Sequence, residues 1–135
     1  MKDGITLTAL DGHSFEVYLA TPAGKPKAAV VVVQEIFGVN AHIKEVADRF
    51  TAAGYLVIAP ALFDRIAPDI TLAYDDDGVA EGRGLKDQVD ANSEFDVKAA
   101  IDHVASAGAA AVGGFCWGAA LAWAVGRAAA SGLAA

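Results

Sequence analysis

Two short aliphatic runs, Ala28 to Gln34 (AAVVVVQ) and Tyr55 to Ala61 (YLVIAPA), constrain this chain more than any other feature. Each is apolar at consecutive positions, so a strand built from it must be buried on both faces. That is the pattern of a central parallel strand with helices packed on either side. Between them Asn40 offers a helix N-cap, and Ile43, Val46, Ala47 and Phe50 repeat at helical spacing before Gly54, a residue suited to follow a helix C-terminus. Strand, helix and strand then form a β-α-β unit, whose crossover is right-handed in nearly all proteins.

The rest of the chain fits around that unit. Ile5 to Thr8 and Phe15 to Leu19 alternate apolar and polar residues, and Asp11-Gly12 between them signals a two-residue hairpin turn at one edge of the sheet. Residues from about Pro60 to Leu85 hold no period; they include Pro68, the triplet Asp75-Asp76-Asp77, and Gly78, Gly82 and Gly84, and read as a long functional or mobile loop. Ser93 and Asp96 resemble a capping box opening the next helix. Val97, Ala100, Ile101 and Val104 form that helix's apolar stripe, and Gly108 closes it. A short strand at residues 109–115 leads into an alanine-rich helical run. The expected fold class is α/β: an antiparallel N-terminal hairpin followed by parallel strands with flanking helices, as one domain over residues 1–135 without repeats.

Composition removes several function classes. A hydrophobic fraction of 55% with 20% charged residues suits a compact core, and no apolar run is long enough to span a membrane. The N-terminus lacks a signal-peptide core, which makes a cytoplasmic protein the expectation. A net charge of −7 argues against a nucleic-acid partner while leaving room for a small anionic substrate. One cysteine permits no internal disulfide and no thiolate-cluster metal site. Paired histidines are missing, Asp75-Asp76-Asp77-Gly78 fails the ligand spacing of a calcium loop, and no G-x-G-x-x-G follows the first buried run. No metal or cofactor is expected.

The remaining cysteine has informative neighbours. Gly114-Phe115-Cys116-Trp117-Gly118 places it between a strand and a helix, in the G-x-C-x-G arrangement of a nucleophile elbow. Small residues are needed at both flanks because the central residue occupies a tight turn. The sulfur would then sit at the C-terminal edge of the sheet and at a helix N-terminus, where the helix dipole favours a thiolate. The Trp117 N–H would face a developing oxyanion. The alternative is a buried core thiol whose glycines only permit the turn. Glu35, at the end of the other buried run, would share that sheet edge, so the thiol and the carboxylate are expected in one pocket; the competing reading is a solvated strand-end glutamate.

VVVQEIFGVNAHIKEVADRFTAAGYLVIAPALFDR and VGGFCWGAALAW resemble the dienelactone hydrolase family, the cysteine branch of the α/β-hydrolase fold. The resemblance runs over nearly the whole chain and is loose between residues 66 and 90. It implies hydrolysis of small enol-lactones by acyl transfer to Cys116. It implies further that Glu35 contacts the resting thiol, that the N–H groups of Ile36 and Trp117 form the oxyanion hole, and that an arginine binds the substrate carboxylate. Arg83 is the candidate for that role and Arg65 the alternative, with Phe37 also against the substrate. Ala119 stands where the family often has a second glycine.

One expectation of the family is unmet. Its acid and histidine follow the nucleophile, but the 19 residues after Cys116 contain no His, Asp or Glu. His13, His42 and His103 precede it and read as surface residues. Three accounts stand: a fragment of a longer enzyme, which is favoured; a chain that completes its sheet by self-association through an exposed edge; or a degenerate, non-catalytic relative. On the favoured account this chain alone is inactive.

Overall fold

The computed structural model describes residues 2–130. Five strands form one sheet in the order β1-β2-β4-β3-β5, with β1 at Lys2–Thr8, β2 at Ser14–Ala20, β3 at Ala29–Val33, β4 at Leu56–Pro60 and β5 at Ala110–Gly114. The hairpin β1-β2 runs antiparallel and joins the sheet through β2 and β4, while β4, β3 and β5 run parallel. The helices are α1 at Ala41–Ala52, α2 at Asp76–Val104 and α3 at Trp117–Ala130, with a 3₁₀ turn at Leu62–Arg65.

All five residues of β3 are buried, and the valines divide between two cores. Val30 and Val32 face α1, against Ile43 and Ala47. Val31 and Val33 face the other layer, with Val97, Ala100 and Val104 of α2 and Leu121 and Val125 of α3. Each fully buried valine contributes about 1.5–3 kcal/mol of hydrophobic transfer. Two such layers explain why the run does not alternate.

Local signals set several boundaries as read from the sequence. The Asn40 side chain accepts from the Ile43 N–H at 3.1 Å and starts α1. Past Ala52, Gly54 takes φ +103° while Tyr55 N–H donates to the Phe50 carbonyl, the bonding that closes a helix through a left-handed residue. The hairpin turn is longer than the expected two residues. Ala9 N–H donates to the His13 carbonyl and Gly12 N–H to the Ala9 carbonyl, with Gly12 at φ +88°, a turn whose left-handed position only the glycine fills cheaply.

The largest correction concerns residues 60–85. Instead of one long loop, a 3₁₀ turn follows β4, and α2 begins at Asp76 and runs 29 residues. Asp75 is the N-cap, its Oδ1 accepting from Gly78 N–H at 2.7 Å, and Asp76 and Asp77 lie at the positive end of the helix dipole. The buried positions of α2 are 78, 82, 89, 93, 96, 97, 100 and 104, a helical period occupied partly by Gly, Ser and Asp. Hydropathy therefore hides a stripe that burial reveals. Ser93 and Asp96 are no capping box: Ser93 Oγ donates to the Val89 carbonyl in mid-helix, and Asp96 is held by Arg65.

Candidate active site

The elbow forms where β5 passes into α3. Cys116 adopts φ +54°, a left-handed conformation costly for a residue with a Cβ and characteristic of a strained nucleophile turn. Both flanking glycines are required by close packing rather than by φ. A Cβ on Gly118 would lie 2.5 Å from the carbonyl oxygens of Val33 and Gln34, and one on Gly114 would lie 2.8 Å from the Val33 oxygen. The elbow is thus pressed against the last residues of β3.

That contact brings the two predicted segments together. In the parallel β3-β5 ladder Val33 pairs with Gly114, so Glu35 and Cys116 each lie two residues beyond the ends of neighbouring strands, at the same sheet edge. Glu35 is half-buried, its backbone bridging to Gly38, and Cys116 is exposed. The carboxylate of Glu35 makes no hydrogen bond or ion pair with any described residue.

Ile36 and Trp117 are only 8% and 4% exposed, yet neither backbone N–H donates a hydrogen bond among the described residues. The Trp117 N–H is one of those that a helix start leaves without an intrahelical partner, and the Ile36 N–H lies just past the end of β3, so both donors are available to a ligand at the sheet edge that carries the elbow. The Trp117 side chain is fixed independently: its indole N–H donates to Asp90 on α2 at 2.8 Å, and its ring stacks on Phe63 at 5.7 Å.

The arginine candidates separate. Arg65 is occupied. Its guanidinium donates to Asp96 at 3.0 and 2.8 Å and to Asp11 at 2.8 and 3.1 Å, tying α2 and the hairpin to the 3₁₀ turn. Burial works against the Arg65 charge, and the two carboxylates outweigh it, so the group is held protonated. Burial pushes the Asp96 carboxyl above the usual carboxylate range despite Arg65. The exposed Asp11 is held below that range by its hydrogen bond to Arg65. Arg65, the alternative candidate, is thus engaged as a structural cation between α2 and the hairpin. Arg83 lies on α2 rather than in a loop, exposed, next to Gly82, where the helix meets the Ile36 carbonyl so closely that a Cβ would collide with it. Phe37 packs edge-on against Tyr74 at 4.5 Å, and the Tyr74 hydroxyl in turn accepts from Asn40 Nδ2 at 2.9 Å.

One of the three histidines differs from its surface reading. His13 is half-buried beside Phe15, with Nε2 enclosed and without a partner. His42 is exposed as expected, but its ring lies 5.7 Å from that of Phe115, the residue before Cys116. His103 is exposed.

Sequence reasoning passed over Gln34. It is fully buried, its Oε1 accepts from Leu62 N–H at 2.8 Å, and its Nε2 donates to the Glu35 carbonyl at 3.0 Å. A polar amide closing an apolar run was the available signal, since a buried amide must be hydrogen-bonded. Gly82 gave a weaker one: a glycine inside a helix costs about 1 kcal/mol relative to alanine and so implies a packing reason.

The chain is similar to known proteins. Carboxymethylenebutenolidase of Pseudomonas putida is 34% identical over 131 residues, covering 93% of this chain and 56% of that protein. Carboxymethylenebutenolidase 1 of Cupriavidus pinatubonensis is 32% identical over 134 residues, covering 91% and 55%. Among solved structures, a Klebsiella pneumoniae protein assigned to the dienelactone hydrolases matches with a TM-score of 0.68 at 30% identity, covering 93% of this chain and 53% of that one. A structure named m3DLH matches with a TM-score of 0.74 at 28% identity, covering 95% and 54%. The chain spans about half the length of these relatives. Residues 15–135, from the second hairpin strand through the strained cysteine turn and beyond, match the dienelactone hydrolase family, and the chain belongs to it.

Proposed function

We infer that this chain carries the nucleophile and oxyanion hole of a carboxylic ester hydrolase that opens small enol-lactones through a cysteine acyl-enzyme. The observation that carries the reading is the pair of unspent backbone N–H groups at Ile36 and Trp117 at the sheet edge that carries a left-handed Cys116. Cys116 Sγ adds to the lactone carbonyl, the two N–H groups take the developing negative charge, and ring opening leaves a thioester. Glu35, leaving the neighbouring strand at the same edge, helps to draw the proton from the thiol. Arg83 and Phe37, at the α2 side of the Glu35–Ile36 segment, receive the substrate's carboxylate and its apolar body. Water and ordinary side chains suffice for this chemistry, with no cofactor invoked.

The same reading assigns no general base for deacylation within the chain, because the residues after Cys116 contain no His, Asp or Glu. Acylation should therefore proceed once and stop. The test is to mix the chain with an enol-lactone or an activated ester and follow intact mass. One acyl group on Cys116 is expected, with no steady product release, and none on Cys116→Ser, whose hydroxyl lacks the thiol's acidity. Normal acylation of Cys116→Ser would remove the cysteine from the mechanism, and sustained turnover by the wild-type chain would remove the claim that it is inactive alone.

A second reading has its own observation. The outer edge of β5 has no partner strand among the described residues, and Phe115 and Trp123 nearby are 46% and 66% exposed. Such an edge is a pairing surface. On this reading the chain is a non-catalytic self-associating relative, and sedimentation at rising concentration together with an unreactive Cys116 would favour it.

A further inference from the structure

We propose that Gln34 is a positioning residue for the oxyanion hole, acting through the peptide group that joins Glu35 to Ile36, with Gly82 of α2 packed against the oxygen of the next peptide. This deepens the hydrolase reading above and rests on it. In a planar trans peptide the C=O and N–H point in opposite directions, so whatever holds the oxygen also aims the hydrogen. Gln34 Nε2 donates to the Glu35 oxygen at 3.0 Å, which sets the plane whose other side presents the Ile36 N–H. The amide is itself anchored, because its Oε1 accepts from Leu62 N–H at the start of the 3₁₀ turn after β4, and it is wholly excluded from water. Gly82 meets the Ile36 oxygen so closely that only a residue without a Cβ fits. The two peptides on either side of the Ile36 α-carbon are thus each met at their oxygen, the first by Gln34 Nε2 at 3.0 Å and more weakly by the Gly38 N–H at 3.4 Å, the second by Gly82 of α2. A buried glutamine could have filled the space as leucine; its two bonds end on backbone atoms that orient one N–H.

The test compares two reactions of the same sulfur, since the 135-residue chain has a single cysteine. With p-nitrophenyl acetate the Cys116 thiolate adds to the ester carbonyl, an oxyanion forms, and the new S–C bond replaces the C–O bond that leaves with p-nitrophenolate. With iodoacetamide the new S–C bond replaces C–I, iodide leaves, and no oxyanion arises. Thiolate content and access enter both rates, so their ratio isolates the oxyanion donors. Wild type should show an acylation-to-alkylation ratio well above that of N-acetylcysteine. Gln34→Met should lower that ratio about tenfold or more with alkylation within about twofold, in keeping with the loss seen when an oxyanion donor is removed. Gly82→Ala, which pushes on the Ile36 oxygen, should lower it in the same direction and decides the matter if Gln34→Met fails to fold. A folded Gln34→Met or Gly82→Ala chain with the wild-type ratio overturns the proposal. A wild-type ratio equal to that of the free thiol overturns the oxyanion hole itself, and the hydrolase reading with it.

Discussion

Removing the Arg65 cation tests the account of the buried network at its most sensitive point. Asp96 is fully buried, and its side-chain partner among the described residues is Arg65, which contacts both carboxylate oxygens. In Arg65→Met the stem is kept and the charge lost, leaving a carboxylate in the core without compensation. Breaking one side of a buried pair costs about 3–5 kcal/mol, against roughly 5–15 kcal/mol of total stability for a domain. For a chain of this length that corresponds to a fall in Tm of about 10–18 °C. Because burial already opposes the Asp96 charge more than Arg65 favours it, removing both charges should be far cheaper than removing one. Arg65→Met/Asp96→Leu should recover most of the loss in a double-mutant cycle read by urea denaturation.

The pH dependence carries a definite sign. Asp96 has a raised folded pKa, so its contribution is fully present below the unfolded carboxylate value and is lost as pH rises through the folded one. Asp11 has a lowered folded pKa, so its contribution is present above the unfolded value and is lost as pH falls through the folded one. In Arg65→Met the Asp11 contribution is gone at every pH, and Asp96 loses the cation that partly offset its burial. The penalty relative to wild type should therefore shrink between neutral pH and about pH 4. A penalty below about 1 kcal/mol at pH 7, or one that grows on acidification, would refute the argument.

Three further outcomes can be checked on the same chain. Gly118→Ala sets a Cβ 2.5 Å from two backbone oxygens of β3's end, which cannot move aside cheaply, and should destabilise by at least about 1–3 kcal/mol, whereas Gly113→Ala, with nothing within 4 Å, should stay within about 0.5 kcal/mol by urea denaturation. Asp75→Ala removes the N-cap of α2 and should cost about 1 kcal/mol, with Asp75→Asn restoring most of it in thermal melts. Trp117→Phe keeps a ring against Phe63 but loses the bond to Asp90; it should lower stability by about 1 kcal/mol while leaving alkylation of Cys116 within about twofold.

What the amino-acid order determined by itself was whatever depends on neighbours along the chain. Two unbroken apolar runs forced buried strands, Asn40 and Gly54 bracketed a helix, and glycines on both sides of Cys116 marked a strand-turn-helix elbow. The family resemblance carried by QEIFG and GFCWG was legible for the same reason. Contacts between distant segments had no such signature. The first turns of α2 looked irregular because their buried positions hold Gly78 and Gly82, chosen for close backbone approach rather than for hydropathy. Arg65 looked like any loop cation until the fold placed Asp11 and Asp96, 54 and 31 residues away in sequence, around it. Gln34 likewise shows its part only once the end of β3 lies beside the 3₁₀ turn that follows β4, since a buried hydrogen bond is defined by its partner and the partner is supplied by the tertiary structure.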